Sequence, residues 1–277
     1  MSTNTAVCDE PNEIREHKIV SREEWVTARK KLLKKEKEET QLRDELAAER
    51  RELPWVKIDK NYIFKGPNGD VSLSELFNGR SQLLIYHFMF GPDWKEGCPS
   101  CSFTCDHIDS ALPHLAARGV QVVMISRAPL SKIEPFKKRM GWHFNWVSSN
   151  ANDFNHDFNV YFTKEEMAKG EVYYNYKMQP FPSQEGPGIS IFYKNADGEI
   201  FHTYSTFGRG IEPVVGAYML LDMVPKGRDE DHLNFTMEWV RYHDRYGTDE
   251  FADANKPYWP ETATTSSDCG CDASGKK

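Results

Sequence analysis

Residues 82–105 read QLLIYHFMFGPDWKEGCPSCSFTC, and this stretch decides the fold. After Gln82, a continuous apolar run extends to Phe90 between polar and turn residues, a pattern that suits a strand buried on both faces of a sheet. A loop, residues 91–97, leads to Cys98-Pro99-Ser100-Cys101. Beyond the cysteines, residues 106–118 continue as a helix up to Gly119, with Pro113 expected to kink it. Residues 120–126, VQVVMIS, form a second buried strand. Residues 130–140 form another helix, with Ser131 as its cap and Pro135 in its first turn. Strand, helix, strand, helix predicts a parallel βαβ core with right-handed crossovers.

Working outward, residues 53–77 predict two short strands joined by Gly66-Pro67-Asn68-Gly69 and followed by a short Ser-capped helix. Residues 21–53 predict a long charged helix. Ser21 and Glu24 open it as a capping box, Pro54 stops it, and Trp25, Leu32, Leu33, Leu42 and Leu46 form a broken apolar stripe. The pattern fits a mostly solvated helix docked at its two ends. Residues 141–187 read as an insertion of loop and short helix. Residues 189–194 and 199–205 predict a hairpin around Asn195-Ala196-Asp197-Gly198. Helices are expected over 212–223 and 235–246. The polar residues 1–20 read as a flexible leader and residues 248–277 as a disordered tail. The main domain therefore spans 54–247.

With 277 residues, 39% of them hydrophobic, the chain can bury a sizeable core. A net charge of −7 argues against a phosphate-binding surface and so against nucleic acid. The longest apolar stretch, residues 83–90, is too short to span a bilayer. Residues 1–20 lack the pattern of a secretory signal, so a reducing, cytoplasmic setting is expected.

Six cysteines are too few for a disulfide scaffold, and Cys98, Cys101 and Cys105 cluster within eight residues. At a strand-to-helix junction, unpaired N–H groups and the helix dipole favour a thiolate, which makes Cys98 the expected nucleophile. Pro99 suits the first helical position, and Ser100 completes the motif. Cys101, on the same helical face, can resolve a mixed disulfide. A metal site made by Cys98, Cys101, Cys105 and a fourth ligand is the rival. His107 falls opposite Cys98 on a continuous helix, so ligands would have to come from elsewhere, such as Cys269 and Cys271. Cys105 reads as a core thiol before a third redox partner. Cys269-Gly270-Cys271 is assigned an accessory role, and Cys8 stands alone. His87 reads as a satisfied core histidine first and a proton carrier second. Trp94 lies with Asp93, Lys95 and Glu96 in the loop before Cys98. No cofactor or resident metal is expected.

The segments LPWVKIDKNYIF, GDVSLSELF, LLIYHFMFGPDW, GCPSCSF, FHTYSTFGRG and PKGRDEDHLNFTMEWVRYHDRY resemble a bacterial family of predicted dithiol–disulfide oxidoreductases, otherwise classed as of unknown function, over residues 15–247. The resemblance implies an α/β, thioredoxin-like fold of the peroxiredoxin and thiol-reductase branch. Its central mixed sheet is flanked by helices, with the long N-terminal helix and an extra C-terminal helix added. It implies Cys98 as nucleophile, Cys101 as resolving thiol, and His87 near the position of a buried proton carrier. The implied partner is a disulfide-containing protein or a small thiol or disulfide, with homo-oligomerisation left open. Two departures stand out. Gly188, after Pro187, occupies the place of the thioredoxin cis-proline. Gly91 and Lys95 stand where peroxiredoxins carry Pro and Thr, so a peroxidase pocket of the usual kind is not expected.

Overall fold

The computed structural model describes residues 17–246. The leader before residue 17 and the tail, with Cys8, Cys269 and Cys271, lie outside the described residues. The elements are α1 (Arg22–Glu52), β1 (Val56–Lys57), β2 (Ile63–Gly66), β3 (Gly69–Ser72), α2 (Leu73–Leu76) and β4 (Gln82–His87). Next come α3 (Pro99–Ala117), β5 (Val120–Ser126), α4 (Leu130–Arg139), β6 (Asn145–Ser148), α5 (Phe154–Asp157), α6 (Lys164–Met167), β7 (Val172–Tyr174) and β8 (Lys177–Gln179). The chain continues with β9 (Gly188–Lys194), β10 (Ile200–Phe207), a 3-10 segment (Gly208–Val214) and α7 (Gly216–Leu221).

Eight strands form one sheet in the order β1-β10-β9-β4-β5-β6-β2-β3. The expected core is present: β4 and β5 pair in parallel from Gln82↔Val120 to His87↔Ile125, with α3 between them. On its other side β4 pairs antiparallel with β9, from Gln82↔Tyr193 to His87↔Gly188, and β9 pairs with β10. The run β10-β9-β4-β5, two antiparallel strands beside two parallel ones, is the arrangement of a thioredoxin-like domain. Strand alternation sends Leu83 and Ile85 to one core, with Phe64, Phe77, Phe154 and Phe192. Tyr86 and Phe88 face a second core, with Cys101, Cys105, Phe136 and Trp146.

Several expectations need correction. Residues 145–148, read as loop, are a core strand parallel to β5, with Trp146 and Val147 buried. Within 163–187 the chain makes α6 and the two-stranded β7-β8 hairpin. α4 starts with Pro129 as its N-cap rather than Ser131. The helix expected over 212–223 is a 3-10 segment and a six-residue helix. Residues 235–246, expected as a helix, are turns, because their side chains are held one by one. The Glu230 carboxylate accepts from Trp239 Nε1 at 2.6 Å and from the Met237 N–H at 3.0 Å, while Tyr242 and Asp244 reach other elements. Such tertiary bonds outweigh intrinsic propensity.

α1 carries the expected capping box. None of its residues is buried. Near its C-terminus the Arg50 guanidinium lies over Tyr204 at 4.9 Å. At the other end Trp25 is 47% exposed, beneath Arg22 of its own helix, and joins no core cluster among the described residues.

Candidate active site

The loop after β4 delivers Cys98 to the N-cap of α3. The Cys98 N–H donates to the Met89 carbonyl at 3.0 Å, and the Cys98 carbonyl accepts from the Ser102 N–H at 3.0 Å and the Ser102 hydroxyl at 2.9 Å. Pro99 occupies the first helical turn, where its missing N–H removes no helical bond. Cys98 makes no side-chain cap bond; the groups that act on its sulfur are the Cys101 thiol, the N–H groups of Ser100 and Cys101, and the Ser100 hydroxyl.

These donors set the electrostatics. Donation from the Cys101 thiol is the largest influence and outweighs burial, bringing Cys98 down to about 7. Burial, together with that donation, pushes Cys101 up, and burial does the same to Cys105. One half-buried, readily ionised thiol thus sits in front of a buried, protonated one. The arrangement suits a nucleophile with a resolving partner.

The dithiol opens into a cavity of about 240 Å³ lined by Tyr86, Met89, Pro187, Ile211, Val215 and Met237, with Arg209 and Glu212 also contributing. Tyr86 was not anticipated. Its hydroxyl is directed at Cys101, and burial pushes the phenol up. Tyr174, in the supposed loop insertion, ties two walls together: its hydroxyl donates to the Pro187 carbonyl at 2.7 Å and accepts from the Gly208 N–H at 3.1 Å. Residues 239–245 brace the loop before Cys98. Tyr242 donates to the Gly97 carbonyl at 2.6 Å, Arg139 pairs with Glu96 and with Asp244, and Arg245 pairs with Glu96. A Cβ on Gly97 would stand 2.6 Å from the Phe88 ring and 2.9 Å from the Phe136 ring. Gly97→Ala is therefore expected to destabilise the fold by about 1–3 kcal/mol, read as a lower urea midpoint; an unchanged midpoint would show that the aromatic wall yields freely.

The remaining sequence candidates are dispersed. His87 points to the opposite face of the sheet, where Nε2 meets Ser190 Oγ at 2.8 Å and the ring stacks on Phe154 and Phe158. Burial holds His87 down at about 3. Trp94 packs at the edge of the Cys101–Cys105 core and borders a different cavity, formed with Arg127 and Glu185. Lys132 fixes its loop by donating to the carbonyls of Pro92 and Trp94 at 2.6 and 2.9 Å. Gly188 faces Phe207, whose ring would stand 2.8 Å from an added Cβ; its neighbour Pro187 is the residue that lines the dithiol cavity. Cys105 is fully buried in the core. His107 is a structural brace, donating from Nδ1 to the Phe103 carbonyl at 2.7 Å and accepting at Nε2 from the Ala217 N–H at 3.0 Å. Among the described residues no cluster of three His, Cys, Asp or Glu side chains could hold a metal ion, and no helix is long and apolar enough to cross a membrane.

Fold and site define a thioredoxin-like protein with a two-cysteine centre at a helix N-terminus. The profile of the family described as "Bacterial protein of unknown function (DUF899)" matches residues 14–246, and the chain belongs to that family. No curated protein matches it. Among solved structures, a mutant of Xanthomonas campestris peroxiredoxin Q is 15% identical, covering 57% of this chain and 90% of its own, at a TM-score of 0.39. Mycobacterium tuberculosis peroxidoxin BcpB is 12% identical, covering 59% and 94%, at 0.40. A putative thiol:disulfide interchange protein DsbE from Chlorobium tepidum is 13% identical, covering 60% and 97%, at 0.37.

Proposed function

We propose that this protein is a dithiol–disulfide oxidoreductase, with Cys98 as nucleophile and Cys101 as resolving thiol. The observation that carries the reading is the placement of Cys98 at the N-cap of α3, held near neutral ionisation by the Cys101 thiol. The Cys98 thiolate attacks one sulfur of a disulfide, forming a mixed disulfide and expelling the other half as a thiolate that takes up a proton. Cys101 then loses its proton and attacks Cys98, releasing the second half as a thiol and closing the Cys98–Cys101 disulfide. Two electrons pass from the dithiol to the substrate. A thiol reductant reverses the change in the protein.

The reading is tested by equilibrating the full chain in dithiothreitol buffers of graded poise and mapping disulfides by mass spectrometry. A Cys98–Cys101 disulfide forming in a two-electron transition is expected, and Cys98→Ser should lack it. If these two cysteines pair at no poise, the proposal fails.

A further inference from the structure

The dithiol lines a small cavity with braced walls, and this limits what can seat beside it. We infer that its substrate is a low-molecular-weight disulfide with an uncharged, largely apolar body, rather than a disulfide on a folded protein. The inference rests on the dithiol reading above and adds the substrate class to it.

Size is the first argument. The cavity is about 240 Å³, below the range of about 300–1,000 Å³ in which drug-sized ligands bind. In thiol–disulfide exchange the attacking, attacked and leaving sulfurs approach a line, so the leaving half must extend away from Cys98 along the cavity. A protein disulfide joins two Cα atoms only about 4.4–6.8 Å apart, each continuing into chain on both sides. A disulfide carried on four chain arms cannot seat as deeply between Met89, Pro187, Ile211, Val215 and Met237 as one with a slender body.

The walls are also tied down. Pro187 and Gly208 share the Tyr174 hydroxyl, Ala217 is bonded to His107, and the Met237 N–H is bonded to Glu230. A few residues on from Met237, Tyr242 is bonded to Gly97, and Arg139 pairs with Asp244 at 2.8 Å with side chains only 11% and 6% exposed. The cavity cannot widen to take a larger body without losing several of these bonds together.

Backbone and charge agree. A peptide docking as a strand needs free main-chain groups beside the dithiol. Pro187 has no N–H, its carbonyl accepts from Tyr174, and Gly188 is paired with His87 and Phe207 in the sheet. Arg209 and Glu212 form an ion pair at 2.8 Å, and Arg228 pairs with Glu212 at 3.2 Å and with Asp222 at 2.8 Å, two cations against two carboxylates. The charged groups at the cavity are thus matched to one another, which favours a neutral substrate over a highly charged one.

The test follows oxidation of the reduced full chain by bis(2-hydroxyethyl) disulfide, glutathione disulfide and insulin. Each rate is divided by the rate of dithiothreitol with the same oxidant, which removes intrinsic reactivity. The hydroxyethyl disulfide is expected to exceed insulin by about tenfold or more, with glutathione disulfide between them. Ile211→Trp, which fills the cavity, should slow the hydroxyethyl disulfide, and Met237→Ala, which widens it, should narrow the gap to insulin. Equal normalised rates for insulin and the hydroxyethyl disulfide would overturn the substrate class while leaving the dithiol reading intact. If no oxidant acts faster on the parent than on Cys98→Ser, the dithiol reading itself falls, and the substrate class with it.

Discussion

Replacing Cys101 by alanine is expected to end multiple-turnover disulfide reduction and to slow the first attack by Cys98 at pH 7. Turnover stops because no thiol remains to resolve the mixed disulfide. The first step slows because the largest influence holding Cys98 at about 7 is the thiol that the substitution removes, and burial then works against the thiolate. The N–H groups of residues 100 and 101 persist and keep part of the effect. A return only to the ordinary thiol value of about 8.5 would cut the thiolate at pH 7 from about half to a few per cent, about 15-fold; the more basic thiolate is about 4–5-fold more nucleophilic, so the attack at pH 7 should slow by about 3-fold. As an acid with a lowered value, Cys98 in the parent should gain reactivity with a midpoint near pH 7, and in Cys101→Ala the midpoint should move up. Iodoacetamide labelling against pH, read on the peptide that carries Cys98, measures both midpoints. Cys101→Ser keeps a donor and should fall between the two. Coincident profiles for parent and Cys101→Ala would show that the Cys101 thiol does not hold the thiolate.

The contrast between Cys98 and His87 shows how far sequence could be read. β4, β5 and the CxxC junction were legible because long apolar runs bounded by turn residues have few alternative placements, and because Pro99 marks a helical start. The face on which each β4 residue lies was not legible. The run is apolar on both faces, so alternation distinguishes Tyr86 from His87 but does not say which of the two meets α3. Histidine drew the functional reading by its chemistry, and the structure places tyrosine beside the thiols instead. β6 escaped for a related reason: four residues, Asn145–Ser148, sit among neighbouring aromatics that give no period. Residues 235–246 carry apolar spacing compatible with a helix, yet their placement depends on Glu230, Gly97 and Arg139, partners that only the folded chain brings near. The same dependence hid the cavity, whose walls come from five separate parts of the chain.

His87 still has a consequence, in acid rather than in catalysis. Protonating it would require a second N–H acceptor, and Nδ1 is buried with no hydrogen-bond partner among the described residues. Burial, with a smaller contribution from His202, holds the folded-state value at about 3 against an ordinary 6.5. Above pH 6.5 the ring is neutral in both folded and unfolded chains and contributes nothing to pH dependence. As pH falls through 6.5 the unfolded chain takes up a proton that the folded chain refuses until about pH 3, so stability is lost across that window. The full loss is up to about 5 kcal/mol, and about 3 kcal/mol by pH 4.5. Glu185 works in the opposite direction. Burial outweighs Arg127 and raises its carboxyl to about 7, so between pH 7 and 4.5 the folded chain binds its proton more readily and gains stability. The parent profile is therefore a partial cancellation, and the difference between parent and His87→Gln isolates the histidine. Glutamine cannot ionise and retains a side-chain donor for Ser190 Oγ, so the variant should start less stable at pH 7.5 and then lose less stability on acidification. Urea unfolding at intervals from pH 7.5 to 4.5 should give two curves that converge or cross. Parallel curves would mean that the buried imidazole accepts a proton at no greater cost than in the unfolded chain.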